Sequence, residues 1–275
     1  HSLYVALDGS FAIRRFETLT NTPGLQFSLG VDPIFGRFSA EDLAVAPGNA
    51  NALAVARFYL NTSPPEAGVA SFDNGVRRTN VGPGHIAGAD FLAFSASAAK
   101  LYGTGQFSGL QTMALDASGV TVSSTNSLGL GSRIKFSGGK LFASAGQVID
   151  PDSATLLGTF ALNTFFNFSP SAFVPDAAAG RAYYLTPGPG FGFTLKAFDI
   201  NTFVQLGSLF IAGASGTPTS LLRWGPNGLA FRTTDNQLFI IQTSLIPSAE
   251  PIPTPTPAPS PTPSPSPSPS AAAFA

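Results

Sequence analysis

The chain has 275 residues, 44% of them hydrophobic and 25 of them phenylalanine, enough to bury a sizeable core in one large domain or two small ones. A net charge of -1, with only 11% charged residues and no basic pairs beyond Arg14-Arg15 and Arg77-Arg78, argues against nucleic acid, whose phosphates demand a basic face. The lack of cysteine excludes a disulfide scaffold and a thiolate zinc site, and no run approaches the roughly 18 apolar residues of a membrane-spanning helix.

Taken in chain order, one strand phrase returns six times. It appears as Leu3-Tyr4-Val5-Ala6-Leu7, Leu53-Ala54-Val55-Ala56-Arg57, Leu101-Tyr102-Gly103, Leu141-Phe142-Ala143, Tyr183-Tyr184-Leu185 and Leu238-Phe239-Ile240-Ile241. Successive starts lie 50, 48, 40, 42 and 55 residues apart, a mean of 47. Four-stranded propeller blades repeat at roughly 40 to 50 residues, so the phrase predicts an all-β propeller. No window carries apolar residues at helical spacing, and helix should be nearly absent.

Each phrase has regular neighbours. Upstream lies a short apolar strand and a turn, as in Asp42-Leu43-Ala44-Val45-Ala46 before Pro47-Gly48-Asn49, or Arg133-Ile134-Lys135-Phe136 before Ser137-Gly138-Gly139. These read as hairpins. Downstream, a third strand ends in an apolar residue and an acid at Phe16-Glu17, Phe72-Asp73, Leu115-Asp116, Ile149-Asp150 and Phe198-Asp199. Such an acid can accept hydrogen bonds from the turn it opens, which accounts for it without catalysis. A fourth, more variable strand follows.

Counted this way, residues 3–30 form a leading partial blade, four complete blades follow, and residues 228–243 supply the first two strands of a last one. We expect a ring truncated at the N-terminus, of seven blades when complete, with six as the alternative. The propeller domain spans 1–246. Residues 247–275 read as a disordered Pro/Ser/Thr-rich spacer, in which 251–270 alternate proline with small residues in extended polyproline geometry, leading to a missing module or anchor.

Chemistry is sparse. There is no Gly-x-Ser-x-Gly elbow, and a triad would have to use His85 in the glycine-rich loop Val81-Gly82-Pro83-Gly84-His85-Ile86-Ala87-Gly88. An ordinary loop histidine is the simpler reading. Two Ser-x-x-Lys matches, Ser97 to Lys100 and Ser137 to Lys140, fall at equivalent hairpin bends, where Ser and Lys do not share a helical face. Asp150-Pro151-Asp152-Ser153 lacks the spacing of a calcium loop and reads as a turn. Trp224, flanked by Arg223, fits a buried interface between blades better than a ligand platform. We assign no catalytic residue, metal ligand or cofactor; the candidate ligand contacts are His85, Arg223 and Trp224, with loops 79–90 and 186–193 at an axial opening.

The segment Leu3 to Ser10, followed by Ile13-Arg14-Arg15-Phe16-Glu17, resembles the repeats of secreted bacterial β-propellers of the YVTN and NHL-like kind, and Arg223-Trp224-Gly225-Pro226-Asn227-Gly228-Leu229-Ala230-Phe231-Arg232-Thr233 is similar to a closing-blade phrase of such proteins. The resemblance covers 1–246 and implies an extracellular, cell-surface or periplasmic protein. Together with the scarcity of paired titratable groups, it leads us to expect a non-enzymatic binding or structural scaffold for a protein or polysaccharide ligand. The alternative is a propeller hydrolase or lactonase with a metal on the axis.

Overall fold

The computed structural model describes residues 2–130, 133–162, 172–190 and 192–248; the expected proline-rich spacer lies outside the described residues from 249 onward. A three-stranded antiparallel meander, β1 (Ser2–Leu7), β2 (Ala12–Glu17) and β3 (Thr22–Ser28), opens the chain, and a small hairpin, β4 (Val31–Asp32) with β5 (Gly36–Arg37), follows it. Four four-stranded meanders come next. They are β6 (Ser39–Val45), β7 (Ala52–Phe58), β8 (Glu66–Asp73) and β9 (Val76–Val81); β10 (Phe91–Phe94), β11 (Lys100–Gly105), β12 (Gly109–Asp116) and β13 (Gly119–Asn126); β14 (Ile134–Ser137), β15 (Lys140–Ala143), β16 (Gln147–Asp150) and β17 (Thr155–Thr159); and β18 (Phe173–Asp176), β19 (Arg181–Pro187), β20 (Gly192–Asp199) and β21 (Gln205–Ala212). A three-stranded meander of β22 (Pro218–Trp224), β23 (Gly228–Thr233) and β24 (Leu238–Gln242) ends the described fold. Among the described residues helix is confined to single 3-10 turns at Asp8–Ser10 and His85–Ala87, in keeping with the expectation that helix is nearly absent.

The six meanders stand as successive blades. Their first strands β6, β10, β14, β18 and β22 lie against one another in that order, forming the inner wall. Between each pair of blades sits one apolar layer, five in all among the described residues. The strand phrase explains how. Because side chains alternate across a strand, Leu53 and Val55 pack toward the first blade while Ala54 and Ala56 pack toward the third. Likewise Leu101 and Tyr102, or Leu141 and Phe142, enter opposite layers. A second strand is thus covered on both faces, so it reads as a continuous apolar run rather than an alternating one. The fourth strands at the rim, such as β21, alternate between half-buried and exposed positions.

The blades also corrected two sequence expectations. Among the described residues the last blade holds three strands, and its first strand is β22, which packs beside β18 and β19 as a first strand must. Gly228-Leu229-Ala230-Phe231 is therefore a second strand, and Leu238 to Ile241 a third. Leu229 and Phe231 face the preceding blade, as Leu53 and Leu141 do. In the fifth blade that role belongs to Ala182 and Tyr184, with Tyr183 turned the other way. The long interval of 55 residues came from matching a third strand to second strands.

Candidate functional site

In an antiparallel meander the connection after the second strand and the connection after the fourth emerge at the same end. At that end of the first three blades lie the β4–β5 hairpin, the β7–β8 loop, the 3-10 turn His85–Ala87 and the β11–β12 loop. Exposed apolar side chains gather there: Val31, Ile34, Phe35, Leu60, Ile86 and Phe107. At the other end the large exposed apolar residues Leu19, Val45, Val76, Val204 and Trp224 are spread over four blades, the first, second, fifth and last.

His85 is at the centre of the apolar end. It is exposed, with φ +53, a left-handed backbone that non-glycine residues seldom adopt. Its ring lies 6.4 Å from Phe35 and 6.4 Å from Tyr59, and those two rings are 5.0 Å apart, so three aromatic groups from three loops meet. Asp32 orders the hairpin that carries Phe35. Its Oδ1 accepts from the backbone N–H of Ile34 at 2.8 Å and Phe35 at 2.9 Å, and its Oδ2 accepts from Tyr59 Oη at 3.3 Å. Those backbone donors, Phe35 first, hold its carboxyl below the usual range, while burial pushes the Tyr59 phenol up. Beneath them Arg57 is buried, its guanidinium 4.1 Å above the Phe38 ring and bonded to Ala67 O at 3.1 Å; burial lowers its pKa to about 10.

The inner wall forms a second group. Lys135 extends from β14 across to β18 and β22, where Nζ donates to Phe173 O at 2.7 Å and Leu221 O at 3.3 Å and lies 5.2 Å from the Phe173 ring centre. Burial, and secondarily the charge of Arg133, pushes its pKa down to about 8. Asp42 accepts from the N–H of Leu92 at 2.9 Å and stands 4.0 Å from Arg133, with burial raising its carboxyl. An open cleft of about 430 Å³ runs past Phe94, Lys135, Phe136 and Val174. Its polar groups hold neighbouring first strands together.

The other sequence candidates fall elsewhere. Arg223 pairs with Asp176 at 3.3 Å and donates to Pro226 O and Pro247 O, which is structural work. Trp224 is 52% exposed at the hairpin end of β22, so the expected buried interface is overturned. It lies on the side of the last blade that faces away from the fifth, since Leu221 takes the covered position. Neither residue joins His85. Asp116, Asp150 and Asp199 do cap their turns through backbone N–H bonds; the Ser118 hydroxyl first, and then backbone N–H groups, lower the pKa of Asp116, and backbone N–H groups lead for Asp150 and Asp199. Asp73 instead forms a two-pronged ion pair with Arg78 at 2.7 and 2.9 Å. Lys100 and Lys140 start strands across the bend from their serines and bond to Asp152 and Asn201, not to serine. Among the described residues no three His, Asp or Glu side chains are grouped together. Loop 186–193 contains Phe191, which is outside the described residues.

Sequence reasoning missed the β4–β5 hairpin, although Asp32-Pro33-Ile34-Phe35-Gly36 between Val31 and Arg37 carries a turn signal. It also missed Arg57 and Lys135, whose signal was a lone charge inside an apolar strand in a chain with few charges.

No family model and no curated protein matches the sequence. Solved structures do match in shape. Citrobacter koseri AztD superposes with a TM-score of 0.54 over 90% of this chain and 68% of its own, at 13% identity. A chain of the mitotic checkpoint complex superposes with a TM-score of 0.56 over 88% of this chain and 71% of its own, at 10% identity. The fold is a β-propeller. At these identities the likeness speaks for the fold alone.

Proposed function

We propose that this propeller is a non-enzymatic binding scaffold, exported to the cell surface or periplasm, that engages a protein partner through the loop end around Phe35, Tyr59 and His85. The observation that carries the reading is the gathering of exposed aliphatic and aromatic side chains on the loops of three adjacent blades at one end, where Phe35, Tyr59 and His85 meet, whereas at the other end such residues are spread over four blades. Contiguous apolar surface ringed by polar backbone is the common signature of a protein contact. The abundance of aliphatic residues favours protein over polysaccharide, whose sites rely on aromatic faces and hydrogen bonds.

The acids support the same reading, because those at the turns are engaged by backbone donors and Asp42 bonds to the neighbouring strand. Phe35→Ala and Ile86→Ser, both at exposed positions, are expected to leave thermal stability nearly unchanged while lowering binding to an isolated partner by tenfold or more, about 1.4 kcal/mol. A partner that binds both variants as tightly as the parent chain removes this face from consideration. Hydrolysis of a lactone or ester panel by the purified chain would overturn the non-enzymatic reading instead.

A further inference from the structure

Beneath the His85–Ala87 turn, several buried oxygens lack donors. Glu66, at the start of β8, is 5% exposed, and its Oε2 has no hydrogen-bond partner. Gln111 on β12 is 2% exposed; its Nε2 donates to Ala87 O at 2.7 Å, which turns Oε1 away from that carbonyl, and Oε1 has no partner. Ser108, at 8% exposure, has an unpartnered Oγ. All three surround one stretch of chain. The Glu66 side chain packs on the α-carbon of Gly88, where a methyl group would overlap its Cβ, and both Gly88 O and Ser108 Oγ crowd the α-carbon of Gly105. Asp90 closes the group, with Oδ2 accepting from the N–H of Gln106 at 3.0 Å.

Leaving such acceptors dry and unpaired is costly, and a buried carboxylate needs a counter-charge. Among the described residues no ion pair reaches Glu66 or Asp90. Burial, with added repulsion from Glu66, raises the Asp90 carboxyl above its usual range.

We propose that a divalent cation of the calcium class binds under this turn, held by Glu66 and Asp90 with the neutral oxygens Gln111 Oε1 and Ser108 Oγ and carbonyl oxygens of the turn. Two carboxylates supply the charge. The remaining donors are neutral oxygens on separate loops, an irregular, all-oxygen set that suits calcium better than octahedral magnesium and offers no sulfur or imidazole to zinc. The ion would tie β8, the 85–88 turn and β12 together and so fix the turn that presents His85 and Ile86. The site stands on buried oxygens and does not depend on the identity of any partner.

The test uses the whole chain after dialysis against chelator. Thermal unfolding and titration calorimetry with calcium chloride should show a rise in Tm and one site per chain, with a much smaller effect of magnesium at equal concentration. Glu66→Gln and Asp90→Asn should each weaken calcium binding at least tenfold, while Glu17→Gln, remote from the site, should leave it intact. Should Glu66→Gln fail to fold, Asp90→Asn and Ser108→Ala carry the comparison. No Tm shift and no heat with millimolar calcium in the parent chain overturns the proposal and assigns the oxygens to buried water. A calcium shift undiminished in the Asp90 and Ser108 variants overturns it equally.

Discussion

At the scale of single residues, Lys135 has the clearest consequence. Burial lowers its pKa from the ordinary 10.5 to about 8, so between those values the unfolded chain binds more protons than the folded one. Stability attributable to this group therefore rises as pH climbs from about 8 toward 10.5. Lys135→Met should flatten that part of the profile, measured as urea midpoint against pH; identical slopes in both proteins would refute the assignment. The turn acids act in the opposite sense. Asp116, Asp150 and Asp199 have lowered values, so what they contribute is present above the usual carboxylate range and lost as pH falls below it. These roles were readable in advance, because an acid at the end of a third strand followed by Ser, Gly or Thr has one obvious use. The fate of Trp224 was not readable: an isolated aromatic carries no information on which side of its strand is covered.

At the scale of elements, alternation made second strands legible and turns made hairpins legible. The misplacement in the last blade has a physical cause. β22, Pro218 to Trp224, contains Thr219, Ser220 and Arg223, and its mixed polarity hides a strand that is covered on one face only. β23 and β24 look alike locally, and only packing against β18 distinguishes first from second. The loop end around His85 was half legible: His85 stood out, while its ring partners Phe35 and Tyr59 come from loops far apart in sequence. An edge contact is also specified by one residue. Gly119 has φ +133, and any Cβ there would strike the backbone oxygen of Asn80, the residue it faces on the neighbouring strand β9. Gly119→Val should cost about 1–3 kcal/mol in chemical denaturation. A loss below about 0.5 kcal/mol would mean the two rims are held by other contacts.

Across the whole molecule, stability is distributed through the layers between blades, each shared by two neighbours and by no third. Phe160 shows the density of one layer, its ring touching Phe142, Tyr184, Phe198 and Phe203 at centroid distances of 4.9–6.4 Å. Phe160→Ala should destabilise by about 3–5 kcal/mol, read from denaturant midpoints at constant m. A loss under about 1 kcal/mol would show that the layer closes over the gap. Period and burial made this architecture visible in the sequence, because a strand covered on both sides must be apolar throughout. The number of blades in a ring was not visible, since every layer looks the same from within.

The rim joint between β9 and β13 gives this chain an uneven grain. Asn80 N–H donates to Ser118 O at 2.7 Å, Asn80 Nδ2 to Ser118 Oγ at 2.9 Å, and Arg78 Nη1 to Asp116 O at 2.6 Å, so the outer edge of the second blade is stitched to the turn of the third. Their inner strands β6 and β10 also touch, which curls the eight strands into a nearly closed loop of sheet. Under a stretching force or a protease, that pair should behave as a single knot in a string of separable beads. The last fragment to survive digestion would then run from about β6 through β13, carrying the His85 turn with it.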